Sequence, residues 1–183
     1  MSNIKTRVYK EDDLPRIAHI HNEGWRAAYK GIVDQDYLDG LDDEERLEKW
    51  QNWLKAGEIE NLYVAADEHD QAYGFISFGK LRTPPPGCSP IRPVYVSEIY
   101  AIYVLPDYWR KGAGRALMKC AAKMLQEQKK DSLCLWVIEK NKNAMSFYKE
   151  LGGERCGKMN VEIAGKNTRE ICYGWRKISP ILA

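Results

Sequence analysis

The stretch "SEIYAIYVLPDYWRKGAGRALM", residues 97–118, carries the strongest indication of the fold. Its first half is rich in Val, Ile and Tyr, which is typical of a β-strand, and its second half follows the apolar period of a helix. The turn between them holds two glycines and three basic residues, Arg110, Lys111, Gly112, Gly114 and Arg115. Such a turn presents backbone N–H groups and the positive end of a helix dipole. It predicts an anion site, and the missing side chains and the charge suit a pyrophosphate.

Neither of the two common phosphate motifs is present in this turn. A dinucleotide motif G-x-G-x-x-G needs a third glycine where Leu117 stands, and the P-loop pattern G-x-x-x-x-G-K-[ST] is absent. A lone G-x-G at a helix start is weak evidence of phosphate binding. On the local pattern alone, a glycine pair that eases strand–helix packing remains an equal alternative.

The composition restricts the class of protein. The chain has 183 residues, which is typical of a single domain over residues 1–183. With 44% hydrophobic and 30% charged residues, it is expected to be globular rather than disordered. The net charge of +2, with basic and acidic residues interspersed, does not favour nucleic-acid binding.

Targeting and cysteine patterns point to the cytoplasm. No apolar run approaches the ~20 residues that a membrane span requires, and the N-terminus has no signal-peptide core. Five cysteines without C-x-x-C spacing argue against a disulfide framework or a zinc site and for a reducing compartment. His19 and His21 are two residues apart on different helix faces, so we expect no metal site.

Periodicity along the chain predicts an α/β protein with a mixed sheet. The predicted strands cover residues 4–10, a hairpin around "EHDQ", 94–105, 132–138 and a last hairpin around "AGKN". The first predicted helix begins at Asp12 or Asp13, with a break or kink at Gly24. The other predicted helices cover residues 42–57, 111–129 and 141–153. The proline-rich residues 81–93 form an extended loop. The central strand–helix–strand unit should be parallel and right-handed.

The opening stretch resembles the acetyl-CoA-binding segment of the GNAT superfamily of N-acetyltransferases. Members carry a strand E-[IL]-x-x-[IL]-x-V-x-P and then [QR]-x-x-G-x-[GA]. The strand pattern is matched by Glu98, Ile102, Val104 and Pro106, and the loop pattern by Gly112 and Gly114. Trp109 stands where the family usually has Gln or Arg.

A second segment, "NKNAMSFYKELGG", resembles the family pattern N-x-x-A-x-x-F-Y-x-x-x-G-F. The matching positions are Asn141, Ala144, Phe147, Tyr148 and Gly152, and Gly153 replaces the usual Phe. "IAHIHNEGWRAAYKGIV" is similar to the first helical region of many bacterial members. The resemblance therefore extends over most of the chain.

The resemblance implies a fold and a reaction. The fold is a GNAT-like mixed, mostly antiparallel sheet of about seven strands flanked by about four helices. Its central parallel pair is splayed open, and acetyl-CoA lies in the split. The reaction is transfer of an acetyl group to a primary amine by direct attack in a ternary complex. A related enzyme with a longer acyl-CoA or an O-acceptor, and a non-catalytic CoA-binding module, are the alternatives.

The resemblance also implies cofactor contacts and a general acid. The backbone of Ile102, Tyr103 and Val104 pairs with the pantetheine arm and offers an N–H for the oxyanion. The pyrophosphate contacts are Arg110, Lys111, Gly112, Ala113, Gly114 and Arg115. Asn141 contacts the cofactor, and Tyr148 is the acid for the CoA thiolate, with aromatic packing as its alternative.

Glu98 is the general base that the resemblance implies, since members often use a carboxylate on the fourth strand. It is a lone acid in an apolar run, so we expect it to be partly buried with a raised pKa, as a base near neutrality requires. A structural hydrogen-bonding role, or a place on an exposed sheet face, is the alternative. Glu139, at the end of the next strand, is a weaker candidate for the base.

The acceptor is expected to be a small-molecule or peptide amine. Family members hold it near the first helices and the loop before the fourth strand. The candidates are Trp25, Tyr29 and Tyr100, together with Tyr37 and the "TPPPG" loop, and nearby acids Glu23, Asp34 and Asp36 would suit a cation. Helix packing or a solvated surface is the alternative for each. We expect no nucleic-acid or membrane partner. The sequence leaves open whether the protein forms a homodimer.

Overall fold

The computed structural model describes residues 4–87 and 94–183. One sheet has seven strands in the order β1-β2-β3-β4-β5-β7-β6. The strands are β1 Lys5–Val8, β2 Asn61–Ala66, β3 Ala72–Lys80, β4 Ser97–Val104, β5 Leu133–Ile138, β6 Glu154–Ile163 and β7 Lys166–Trp175. The helices are α1 Leu14–Tyr29, α2 Gln35–Asp39, α3 Asp43–Lys55, α4 Ala113–Glu127, α5 Lys142–Glu150 and α6 Ser179–Leu182.

The sheet confirms the expected mixed pairing. β4 and β5 are parallel, whereas β1–β2, β2–β3, β5–β7 and β6–β7 are antiparallel. The parallel ladder runs only from Ser97 opposite Leu133 to Ile99 opposite Leu135, and both strands continue beyond it. The short ladder is the open central pair that the resemblance implied.

Contacts divide the chain into two compact units. The first unit comprises Met1–Phe78 and Ala101–Ala121, and the second comprises Gly79–Tyr100 and Ala122–Ala183. Each has its own buried apolar cluster. That the chain acts as a single domain stays a prediction.

In the first unit, α1 and α3 pack on β2 and β3. Buried Ile17, Trp50 and Phe75 belong to one apolar cluster. α3 begins as predicted, because the Asp42 side chain accepts the Glu45 N–H at 2.9 Å and caps the helix. Gly57, with φ of +68°, follows its last turn.

The predicted break at Gly24 is wrong. α1 continues through this position for 16 residues. A Cβ on Gly24 would lie 2.5 Å from the Tyr103 ring, so the glycine is required by close packing and not by a bend. Asp13 precedes α1, but its carboxylate binds Arg7 and the Lys10 N–H instead of capping the helix.

Two short helices, α2 and α6, extend the predicted set. They have five and four residues, which is too short for an apolar period to be recognised in the sequence. Among the described residues, no helix is both long enough and apolar enough to cross a membrane.

In the second unit, β5 pairs with β7 of the last hairpin. Tyr95, Cys134 and Cys172 are buried together between these strands and their neighbours. Ala164 and Gly165 turn the hairpin with φ of +51° and +71°, which is the geometry of a tight two-residue turn. Residues 81–87 have no regular structure, as predicted, and the remainder of the proline-rich loop lies outside the described residues.

Candidate active site

The glycine loop of the first unit is tied down on the side that precedes its basic residues. A short 3-10 turn, Pro106–Tyr108, follows β4. The Trp109 indole N–H donates to the Val104 carbonyl at 2.6 Å, and Tyr108 stacks on Tyr73 with ring centroids 4.0 Å apart. Trp109, at the position where the family usually has Gln or Arg, therefore fastens the loop to the end of β4.

The backbone of this loop adopts left-handed conformations. Arg110 has φ of +58° and Gly112 has φ of +93°, and α4 begins at Ala113. The first N–H groups of a helix have no acceptor within it, and in α4 these belong to Ala113, Gly114 and Arg115. Because the Arg110, Lys111 and Arg115 side chains are exposed around these groups, the loop has the donors and charge that an anion requires.

The end of β4 lies beside the first helix. Ile102, Tyr103 and Val104 are half-buried. The Tyr103 ring stacks on His21 at 4.9 Å, and its hydroxyl is 3.2 Å from that of Tyr29. The backbone segment predicted to pair with pantetheine is therefore held in place by aromatic side chains of α1.

Glu98 is buried, as expected, with 6% of its surface exposed. One carboxylate oxygen, Oε2, accepts the N–H groups of Arg82 at 2.8 Å and Thr83 at 2.7 Å. Glu98 thus fastens the start of the proline-rich loop to β4. This hydrogen-bonding role is the structural alternative foreseen for Glu98, and both bonds shown among the described residues use Oε2, not Oε1.

Glu170 is a carboxylate that sequence reasoning missed. It lies on β7, opposite Ile138 of β5 and Met159 of β6. Burial raises the pKa of Glu170, and the negative charge of Glu98 raises it further. The only signal in the sequence is an acid before the apolar run "ICYGW", and strand pairing was needed to bring it within electrostatic reach of Glu98.

Asn141 and Tyr148 belong to α5 in the second unit. Asn141 is the N-cap, and its side chain accepts the Ala144 N–H at 3.1 Å. Tyr148 is buried, with ring centroids 6.0 Å from Tyr173 and 6.3 Å from Trp175. Both residues have a structural role, and their predicted roles in cofactor binding and proton transfer stay predictions.

The departure at Gly153 has a steric reason. A Cβ at this position would lie 2.6 Å from the Trp175 ring. The Trp175 indole also donates to the Leu151 carbonyl at 2.8 Å. Trp175 of β7 therefore occupies the space beside Gly153, where the family pattern has a phenylalanine.

The predicted acceptor residues fall into two groups. Trp25 and Tyr29 of α1 are in contact, with ring centroids 4.9 Å apart, and Tyr37 lies 6.2 Å from Trp25. Tyr100 belongs to the second unit, where it donates to the Lys80 carbonyl at 2.8 Å and lies under the Arg82 guanidinium. The structure therefore groups Trp25, Tyr29 and Tyr37 as one aromatic cluster and assigns Tyr100 to different neighbours.

The fold and the glycine loop define the class of protein, an acyltransferase with an open mixed sheet. Residues 15–153 match the sequence model of the acetyltransferase (GNAT) family, so the chain belongs to that family. The match covers more than half of the chain and includes both segments that carry the resemblance.

Relatives and solved structures agree with this assignment. The uncharacterised N-acetyltransferase YuaI of Bacillus subtilis is 36% identical, over 97% of this chain and 96% of that protein. PaiA N-acetyltransferase of Thermoplasma acidophilum, solved with coenzyme A, is 21% identical with a TM-score of 0.67, over 92% of this chain and 98% of that one. YncA of Salmonella typhimurium, solved with acetyl-CoA, is 20% identical with a TM-score of 0.67, over 97% of this chain and 95% of that one. The two structures support the fold.

Proposed function

We propose that this protein transfers the acetyl group of acetyl-CoA to a primary amine by direct attack in a ternary complex. The observation that carries the proposal is the loop at the start of α4. Its glycine, its left-handed backbone and its exposed basic residues stand at a helix N-terminus. Solved relatives of the same fold hold coenzyme A or acetyl-CoA, which supports acetyl-CoA as the donor.

The donor contacts follow from the loop and from β4. Main-chain N–H groups from Arg110 to Arg115 bind the pyrophosphate, and the exposed basic side chains neutralise it. The backbone of residues 102–104 pairs with the pantetheine arm, and one of its N–H groups stabilises the tetrahedral oxyanion. A preorganised donor of this kind contributes about 3 kcal/mol to catalysis.

The amine must lose a proton before it can attack, because the pKa of an alkylammonium is about 10 and the group is protonated at neutral pH. Glu98 is the predicted base and Glu170 is the second candidate. Both bonds to the Arg82 and Thr83 N–H groups use Oε2 of Glu98, so Oε1 must take the proton. The raised pKa of Glu170 favours this residue as the base that works near neutral pH.

CoA leaves as a thiolate, whose conjugate thiol has a pKa of about 8.5, so a proton donor assists its departure. Tyr148 is the proposed acid, and Asn141 the proposed cofactor contact in the same helix. The acceptor is a small-molecule or peptide amine that approaches the aromatic residues Trp25, Tyr29 or Tyr100. Free cysteines among the described residues suit a reducing cytoplasm.

A thermal-shift titration tests donor binding. Acetyl-CoA and CoA should raise the melting temperature, since ligand at 100 times its Kd stabilises the folded state by about 2.7 kcal/mol. Gly112→Ala should weaken this rise, because φ of +93° is unfavourable for alanine in the loop. Gly165→Ala is the matched control, since it puts the same kind of strain, at φ of +71°, in the hairpin turn of the second unit. No rise with millimolar acetyl-CoA in the wild type would overturn the proposal.

Turnover of an amine panel, followed by CoA release, tests the chemistry. Tyr148→Phe should lower kcat by about 10²-fold or more with little change in CoA affinity. Glu98→Gln and Glu170→Gln separate the two bases, because only loss of the true base removes the acidic limb of the kcat/KM profile. Unchanged kcat in Tyr148→Phe would remove this residue from the acid role.

A further inference from the structure

The first unit contains a cavity of about 200 Å³ beside the start of α3. Tyr37 of α2, residues 40–42 of the following loop, and Glu45, Arg46 and Lys49 of α3 line it. Two of these side chains are cationic, and Arg46 is half-buried. A cavity with a half-buried guanidinium in its wall is a candidate site for an anion.

Arg46 has an unusual shortage of partners. Its Nε donates to the Asn22 side-chain oxygen at 2.9 Å, and its guanidinium carbon lies 5.9 Å from the centre of the Trp25 ring. Within the described part of the chain, no acceptor is bound to either terminal nitrogen, Nη1 or Nη2. Burial lowers the pKa of Arg46, and the nearby groups of Tyr37, Tyr103 and Asp43 only partly offset this. An anion bound in the cavity would compensate this positive charge.

The neighbouring carboxylates are engaged elsewhere. Asp42 accepts the Glu45 N–H at the start of α3. Asp43 accepts from the Asn22 amide at 2.8 Å and lies 2.8 Å from His19. Glu45 is exposed to solvent. Arg46 therefore faces the cavity without a buried counter-ion.

The free edge of Arg46 selects the shape of the anion. With Nε already bonded, Nη1 and Nη2 form the pair of parallel donors that matches the two oxygens of a carboxylate. The Trp25 ring, 5.9 Å from the guanidinium carbon, packs beside Arg46, and its buried indole N–H has no acceptor among the described residues.

A series of aromatic contacts connects the cavity with β4 within the same unit. Tyr37 contacts Trp25, Trp25 contacts Tyr29, and the Tyr29 hydroxyl is 3.2 Å from that of Tyr103. Tyr103 belongs to the β4 segment proposed to pair with pantetheine. This row of aromatic rings leads from Arg46 to that segment.

We propose that Arg46 binds the carboxylate of the acceptor, so that the acceptor class is amino acids and other amines that carry a carboxylate. The inference rests on the proposed acetyl transfer. Arg46 makes a bidentate contact, Lys49 adds positive charge at the mouth of the cavity, and Trp25, Tyr29 and Tyr37 cover the acceptor's carbon chain.

Matched pairs of amines test the inference. Each pair is an amino acid and the amine it would become without its carboxylate, such as phenylalanine with phenethylamine and leucine with 3-methylbutylamine. Wild-type kcat/KM should be at least 10-fold higher for the amino acid. Arg46→Met should lower it 10- to 100-fold for the amino acid, mainly through KM, and should leave the plain amine unchanged. Arg46→Lys should recover only part of the loss, because it keeps the charge without the paired donors.

The matched control is Lys55→Met, which removes an exposed cation from the last turn of the same helix. Binding is measured separately, by calorimetric titration of the amino acids into the protein saturated with CoA. Equal rates for both members of each pair, or an Arg46→Met variant that binds amino acids as well as the wild type, would overturn the inference. The same holds if none of the amino acids binds. Each of these results leaves the acetyl-CoA titration, and with it the proposed function, intact.

Discussion

Two arginines of the first unit, Arg7 and Arg46, are both half-buried but differ in what surrounds the guanidinium. Arg7 makes two bonds to the Asp13 carboxylate, of 2.6 and 3.0 Å, and one of 2.9 Å to Asp70. These partners raise the pKa of Arg7, Asp13 first among them. Among the residues that the structure describes, Arg46 has one hydrogen bond, to the neutral side chain of Asn22, and burial lowers its pKa.

The difference separates a structural charge from a binding charge. A shielded cation costs free energy unless an anion and hydrogen bonds compensate it. At Arg7 the chain provides that compensation itself, and the result joins β1 to the start of α1. At Arg46 the compensation is incomplete, and a cavity lies where the missing anion would be.

Arg7→Met should have the largest effect on stability. It leaves Asp13, whose side chain is 11% exposed, without its main partner. The free energy of unfolding should fall by about 2–3 kcal/mol, because an unpaired charge remains shielded. Urea unfolding followed by tryptophan fluorescence measures this. Lys5→Met is the control, since it removes an exposed partner of Asp70 and should change little. An equal loss in the two variants would contradict the comparison.

The surroundings of Arg46 and of Arg7 should also lose stability in different pH windows as the pH falls. Burial, and then the charge of Arg46, hold the pKa of His21 well below its usual value. The stability that neutral His21 contributes is complete above its unfolded pKa of ~6.5 and falls as the pH drops below it, by up to about 1.4 kcal/mol per pH unit. Burial opposes ionisation of Asp13, but bonds from Arg7 and Lys10 lower its pKa. Its contribution is lost only below pH ~4.

Urea unfolding between pH 7.5 and pH 5 tests the His21 window. His21→Gln should flatten the slope of stability against pH below about pH 6.5. His69→Gln, at an exposed position, should keep the wild-type slope. Arg46→Met should make the pH-dependent window end at a higher pH, because removing the nearby positive charge raises the pKa of folded His21. A wild-type stability that is constant over this range would refute the assignment.

Arg46→Met should change the stability less than Arg7→Met does. It leaves the buried Asn22 oxygen without its donor, which destabilises the fold, and it removes a poorly compensated charge, which stabilises it. The two effects should cancel to within about 1 kcal/mol in either direction. The measurement is the same unfolding series as for Arg7→Met. A loss as large as that of Arg7→Met would mean that Arg46 is structural.

The elements with a long pattern were predictable from the sequence. The strand β4, the glycine loop before α4 and the helix α3 were expected, since strand composition, glycine position and apolar period are local properties, and the open parallel pair was implied by the family resemblance. The short helix α2 was missed because five residues carry no recognisable period. The predicted kink at Gly24 was wrong. Gly24 makes room for the Tyr103 ring, and this contact is visible only in the folded chain.

The candidate site was predictable where it follows a family pattern and not where it depends on pairing. Glu98, Asn141 and Tyr148 were named from spacing, and the structure adds that each also has a structural partner. Glu170 could not be found in this way. Its strand order places it near Glu98, although the two residues are far apart in the chain.

The sequence by itself determined the family, the glycine loop at the start of α4 and the class of reaction, because these depend on short motifs whose residues are neighbours in the chain. Only the tertiary structure decided which charges are compensated. Arg7 and Arg46 look alike in the sequence, and the difference between them comes from partners 6, 63 and 24 positions away. Burial and pairing are properties of the folded chain, and they determine whether a charge supports the fold or is left to bind a ligand.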